Sequence, residues 1–195
     1  MIKFSITILF LFIFQSCAPV IGVLGVTSIG SATKEKSLGT SINDGIMHTS
    51  ILNKIYKLNP VLSDNIKVSV DNGSVLLTGK IKKPIDKIKV TQLIWEIKGV
   101  KEVNNELQIT DSSNIKNIAR DIASVAEIRT RIMTDERINS LNFSIDVVND
   151  IAYISGFSEN KEEVKLVTDH AAKARFVKQI FNYVTINDDN RWKKN

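Results

Sequence analysis

Few side chains in this sequence could do chemistry. Cys17 is the only cysteine, and His48 and His170 are the only histidines. A lone thiol closes no disulfide, and with no second cysteine there is no thiolate pair on which to build a zinc site. No glycine-rich loop is spaced to cradle a phosphate. The acidic residues are scattered over predicted helix surfaces, and no pair of them can be argued into a cleft. Catalysis therefore has little to stand on, and the expectation is a protein that is not an enzyme and takes no small-molecule substrate. Cations are better represented. Lys116, Arg120, Arg129 and Arg131 share one helical stretch, with Arg137 just beyond it. Guanidinium groups match phosphate geometry in a bidentate manner. The formal net charge of +5 favours an anionic partner, either phospholipid headgroups or nucleic acid.

Those cations sit in the second of two copies of one module. Residues 44–109 and 121–186 align without a gap at an offset of 77, with the identical pairs Asp44/Asp121, Asn65/Asn142, Asn72/Asn149, Gly79/Gly156, Thr91/Thr168, Lys101/Lys178 and Asn105/Asn182 among others. The two histidines occupy unrelated positions of the copies, so no repeated site uses them. A duplicated module without catalytic groups points to binding. Each copy is close to the lower size at which one core holds a fold, so packing between the copies is an expected source of stability.

The N-terminus carries an address. Met1-Ile2-Lys3 and the apolar run Phe4–Phe14 read as a secretory signal, too short to span a bilayer alone. Phe14-Gln15-Ser16-Cys17 resembles a bacterial lipobox, whose cysteine receives diacylglycerol and, once the chain is cut before it, an acyl chain such as palmitate. An ordinary cleaved signal and an uncleaved anchor are the alternatives. The expected boundaries are a signal peptide at 1–16, then a lipidated N-terminus with a flexible tether at 17–40. A covalent lipid on Cys17 is the only attached group expected, with no cofactor and no metal. Ala18 after the cysteine, rather than Asp, resembles the default for sorting to the outer membrane.

Hydrophobic periodicity supplies the elements. A helix capped by Asn43 or Asp44 runs to Leu58, with Ile51, Ile55 and Leu58 on its buried stripe, and Asn59-Pro60 stops it. Ile66–Val70 and Val75–Lys80 form a hairpin around Asp71-Asn72-Gly73. Pro84 opens a second helix with Ile88, Val90, Leu93, Ile94 and Ile97 inward, Gly99 ends it, and Val103–Ile109 is a third strand. Trp95 reads as core or inter-module packing. After the short linker Asp111-Ser112-Ser113, the second copy repeats the order. Its helix spans 115–134 with Ile118, Ile122, Val125 and Ile132 inward, and its strands span 142–148, 151–157 and 177–186 around a helix at 160–173. The fold class is α+β: two tandem α-β-β-α-β units, each a three-stranded mixed sheet with two helices on one face.

Ile66–Gly79 (IKVSVDNGSVLLTG) and Gly99–Ile109 (GVKEVNNELQI) resemble the signature segments of the BON domain. The whole of residues 17–187 is similar to the dual BON-domain outer-membrane lipoproteins of the division- and stress-associated lipid-binding type. The resemblance implies BON domain 1 at 41–110, BON domain 2 at 114–187 and a basic tail at 188–195. It also implies a lipid-anchored protein facing the periplasm that supports outer-membrane integrity. Nucleic acid is not an expected partner in that compartment, and no aromatic stacking platform is apparent. A periplasmic protein-interaction or chaperone-like module acting on an envelope partner is the alternative.

In that family the first helix of the second module meets anionic phospholipid. Carried over here, this implies contacts from Lys116, Ala119, Arg120, Ala123, Glu127, Arg129 and Arg131. This helix holds no large aromatic residue, so a shallow electrostatic contact is expected. Changing Arg120, Arg129 and Arg131 together to Glu is expected to abolish vesicle binding and leave folding intact. Lys80, Lys82, Lys83, Lys87 and Lys89, and the tail Arg191-Trp192-Lys193-Lys194, are lesser cationic candidates. One departure from the family stands out: Gly99-Val100 becomes Phe176-Val177 in the second copy. Phe176 must either take a strained left-handed conformation or end its helix differently.

Overall fold

The computed structural model describes residues 38–110 and 114–186. The expected signal peptide, Cys17, the tether as far as residue 37, the linker Asp111-Ser112-Ser113 and the tail 188–195 lie outside the described residues. The first module comprises α1 (Leu38–Leu58), α2 (Pro60–Asn65), β1 (Ile66–Asp71), β2 (Ser74–Ile81), α3 (Pro84–Trp95), β3 (Glu102–Asn105) and β4 (Gln108–Ile109). The second comprises α4 (Ile115–Met133), β5 (Phe143–Val148), β6 (Ile151–Ser158), α5 (Lys161–Ala172) and β7 (Gln179–Ile186).

In each module the middle strand pairs antiparallel with its hairpin partner and parallel with the last strand, giving the orders β1-β2-β3 and β5-β6-β7. The crossover that a parallel pair requires is supplied by α3 or α5. Alternation then divides the faces. Val75 and Leu77 of β2 pack with Met47, Ile51, Ile55, Val90 and Ile94 of the helices, and Ala152 and Ile154 of β6 pack with Ile128, Ile132, Val167 and Ala171. The opposite faces meet each other, with Leu76 against Val148 and Tyr153, flanked by Ile151, Phe181 and Tyr183. Four layers result: helices, sheet, sheet, helices.

The sheet-to-sheet contacts show how the copies are related. The Ser155 hydroxyl donates to Ser69 Oγ at 2.8 Å, and the Thr78 hydroxyl donates to Asp146. Adding or subtracting the repeat offset converts one pair into the other. The Tyr183 hydroxyl donates to Glu106 Oε1 at 2.5 Å, and these two residues are equivalent positions of the two copies. The modules are therefore related by an approximate two-fold axis through the sheet interface, as a homodimer would be. Desolvation, helped by the bond to Glu106, pushes the Tyr183 phenol well above its ordinary value. Tyr153 shifts the same way, also chiefly through desolvation.

Several expectations need correction. Helix α1 begins at Leu38, so Asp44 lies inside it rather than capping it. Asn59 both ends α1 and caps α2, accepting a bond from the Val61 N–H at 2.9 Å, with Pro60 at the first helical position. Leu62 of α2 then takes the buried place expected of Leu58, which is exposed. Ile88 is exposed because Val90 and Ile94 define the inward side of α3, and Trp95, one residue past Ile94, turns half into solvent. The single strand expected at Val103–Ile109 is broken into β3 and β4, where the Asn105 side chain accepts a bond from the Leu107 N–H. Phe176 is not among the residues with positive φ. Its turn is closed by Val177 N–H to Ala174 O, as Val100 N–H to Ile97 O closes the turn containing Gly99 (φ 97°).

Candidate functional site

The residues that the two copies share build the fold. Asp44 accepts the N–H groups of Asn72 (2.9 Å) and Gly73 (3.1 Å), and Asp121 accepts those of Asn149 and Asp150, both at 3.0 Å. A buried helix carboxylate thereby clamps each hairpin turn, whose central residues have φ between 50° and 80°. Thr91 and Thr168 accept bonds from Asn105 and Asn182. Gly79 (φ 127°) and Gly156 (φ 138°) leave no space: a Cβ there would lie 2.0 Å from Asn65 O or 2.1 Å from Asn142 O. Identity between the copies marks folding constraints, so a functional surface is better sought where they differ.

Helix α4 differs from α1 at most positions. Its buried side is formed by Asp121, Ser124, Ile128 and Ile132, with Val125 partly covered. Asp121 must face inward to reach its turn, and that rotation carries Ile122 outward. Ile118 and Ile122, expected in the core, are 40% and 64% exposed, and Ile115 is 83% exposed. With Ala119, Ala123, Ala126 and Met133, also exposed, they form an apolar strip along the outer face. Three of the corresponding positions of α1 are more polar, Ser41 for Ile118, Gly45 for Ile122 and Thr49 for Ala126, whereas Ile42, Ile46 and Tyr56 stand exposed at the positions of Ala119, Ala123 and Met133. The missed signal was legible. Helical spacing that places Asp121, Ser124, Ile128 and Ile132 on one side leaves the isoleucines for the other.

The cations of α4 have unequal roles. Lys116 and Arg129 are exposed, Lys116 on the flank of the apolar strip and Arg129 within it. Arg131 is held by Glu127 at 2.8 Å, and that bond leads the causes drawing the Glu127 carboxyl below its usual value, followed by the Arg175 N–H. Arg120 bonds Asp150 Oδ2 at 2.9 Å and lies 5.0 Å from the Phe176 ring centroid, with Arg175 at 5.2 Å. Lys178 completes this cluster at 2.7 Å from Asp150. Changing Arg120 to Glu would therefore disturb folding, so the triple arginine variant is not a clean test of binding. Ala119 and Ala123 remain on the outer face, while Glu127 serves the end of α5.

Elsewhere, Lys80 is drawn to Asp121 at 3.5 Å across the modules, and Lys87 bonds the Leu107 carbonyl, whereas Lys82, Lys83 and Lys89 are exposed. His170 contacts Asp135 at 2.8 Å, and His48 lines a cleft between the modules that Val125 and Arg129 of α4 line from the other side. Among the described residues no group of three or more His, Cys, Asp or Glu could hold a metal.

The BON domain family profile matches residues 44–111 and again 114–188. A protein of Anaplasma centrale, "Uncharacterized protein in gshII 5'region", is 33% identical over 63% of this chain and 82% of its own length. Outer membrane lipoprotein DolP of Haemophilus influenzae is 23% identical, over 85% of this chain and 86% of its own. Osmotically-inducible protein Y of Escherichia coli is 19% identical, over 74% and 73% respectively.

Proposed function

The chain belongs to the BON domain family, with two BON domains in tandem, and from that premise we propose a non-enzymatic lipoprotein of the outer membrane that binds anionic phospholipid and supports membrane integrity. The observation that carries this reading is the outer face of α4. An exposed strip of Ile115, Ile118 and Ile122 with small alanines between them can settle at the boundary of headgroups and acyl chains. Lys116 and Arg129 are placed to meet phosphates there. Apolar contact, more than the arginine pairing expected from sequence, supplies the energy in this reading.

Similarity to a protein named as an outer membrane lipoprotein supports the location, and Cys17 supplies the anchor. No helix among the described residues is long and apolar enough to cross a membrane. Acyl chains at Cys17 hold the chain at the bilayer and the tether lets the paired domains search it. The α4 face then adds a second, intramolecular contact whose effective concentration is high.

The test is co-sedimentation of residues 34–195 with vesicles of zwitterionic lipid alone or with added phosphatidylglycerol or cardiolipin. The proposal expects pelleting that grows with anionic fraction and weakens with salt. Absence of pelleting under every condition would overturn it and favour an envelope protein as the partner of this face.

A further inference from the structure

The cleft between the modules lies on the approximate two-fold axis. All but one of the residues that line it fall into pairs at the repeat offset, among them His48 with Val125, Leu52 with Arg129 and Lys67 with Ser144. Its volume is about 410 Å³, within the ~300–1,000 Å³ range of small-molecule sites. No pair among its lining residues is an identity. The clamps that build the fold are the same in both copies, whereas the walls of this cleft differ throughout. Divergence of that kind points to a role other than folding.

The differences give the cleft cations beside an apolar wall. Asp146 is the one acid among its lining residues, and Lys67 and the Thr78 hydroxyl both bond that carboxylate. The Ser69 and Ser155 hydroxyls satisfy each other. His48 and Arg129 remain: among the described residues no hydrogen bond or ion pair holds either side chain. His48 is half-buried and Arg129 exposed, and Leu52 and Val125 stand one helical turn from them. An imidazole N–H and a guanidinium fork beside aliphatic walls suit a phosphate that carries hydrocarbon. The route in is also present. Ile118, Ile122, Val125 and Arg129 follow one another at spacings of four, three and four residues, so they share one side of α4 and the exposed strip continues into the cleft.

We infer that this cleft is a headgroup site for one anionic phospholipid, an assignment that rests on the lipid contact proposed for α4 and gives it a defined pocket. Arg129 pairs with the phosphodiester, the His48 imidazole donates an N–H to it, and the first acyl carbons lie against Leu52 and Val125. The lipid bridges the two modules, because Arg129 belongs to the second and His48 and Leu52 to the first. A choline headgroup would bring its own cation beside Arg129, so the cleft favours lipids whose only headgroup charge is the phosphate. The strip on α4 holds the protein at the surface, and the cleft selects the anion.

The test adds dihexanoylphosphatidylglycerol to the full chain in a non-ionic detergent and follows the imidazole C–H resonances by NMR. With only two histidines in the chain, His48 reports the cleft, and His170, which contacts Asp135 elsewhere, is the internal control. A saturable shift of the His48 signals alone is expected. The choline analogue and glycerol 3-phosphate should each need roughly tenfold higher concentration, one for its added cation and the other for its missing chains. Arg129→Gln should weaken binding about tenfold, and Leu52→Glu, which sets a carboxylate in the cleft, should abolish it, with urea unfolding confirming that each variant is folded. Silent His48 signals, an equal response to the choline lipid, or parent-like binding by both variants would overturn the inference. Equal affinity for glycerol 3-phosphate would make the ligand a free phosphate and overturn the lipid assignment. Anionic vesicles separate the two readings: a parent protein that pellets while His48 stays silent overturns the cleft alone, and one that does not pellet overturns the α4 contact as well.

Discussion

Ile122→Asp is the sharpest single perturbation of the membrane face. Ile122 exposes 64% of its surface in the folded protein. Full burial of such a side chain is worth roughly 1.5–3 kcal/mol, so seating the exposed share in the interface contributes about 1–2 kcal/mol. A carboxylate at that point is also repelled by an anionic surface, by about 1 kcal/mol, mirroring the gain per lysine. The combined loss is about 2–3 kcal/mol, or roughly 30- to 150-fold in partitioning onto anionic vesicles. Folding stability should move by no more than ~0.5 kcal/mol, because an exposed side chain leaves no cavity and no unpaired partner. The assay is vesicle titration of residues 34–195 beside urea unfolding of the same protein. Ile46→Asp on α1, also an exposed isoleucine, is the control and should bind nearly as tightly as the parent. The reasoning is refuted if Ile122→Asp binds like the parent, or if only Ile46→Asp weakens binding.

Other outcomes follow from the same geometry. Arg120→Glu removes a partner of the buried Asp150 and places two carboxylates together. Because Lys178 still serves Asp150, urea unfolding should show a loss of about 2–3 kcal/mol, below the usual cost of stripping a buried charge bare. Gly79→Ala and Gly156→Ala should each destabilise by about 3 kcal/mol or more, because strain at positive φ adds to a Cβ driven into a backbone carbonyl. Thermal melts that match the parent would contradict this. The raised phenol of Tyr183 contributes stability that is intact below the ordinary tyrosine range, near pH 10, and is lost as pH rises beyond it. Alkaline titration should therefore unfold the protein above about pH 10, and Tyr183→Phe should flatten that dependence while forfeiting the bond to Glu106.

Much of the fold could be read from the repeat. A gapless duplication with alternating strands and a Pro-initiated helix specifies two α-β-β-α-β units, and Asp-Asn-Gly specifies the first hairpin. Local pattern could not reveal how the helices are rotated. Ile118 and Ile122 satisfy a helical stripe as well as Ser124 and Ile128 do, and the choice is made by Asp121, whose carboxylate is required at a turn 28 residues away. Polar residues that serve as long-range clamps look like surface residues in a sequence. The same limit applies to the arginines: Arg120 and Arg131 read as free cations until Asp150 and Glu127 are placed beside them. Phe176 announced an altered corner, but only the structure places Arg120 and Arg175 against its ring.

The most direct measurement of the central claim is the immersion depth of α4 on a membrane. The fragment 34–195 contains no cysteine, so single cysteines at positions 118, 122, 126 and 133 can carry spin labels without interference. With vesicles containing phosphatidylglycerol, labels at these sites should gain accessibility to oxygen and lose it to aqueous quenchers, while a label at position 46 on α1 stays in water. Labels on α4 that remain fully aqueous, or immersion at position 46 instead, would contradict the assignment of α4 as the membrane-contact face.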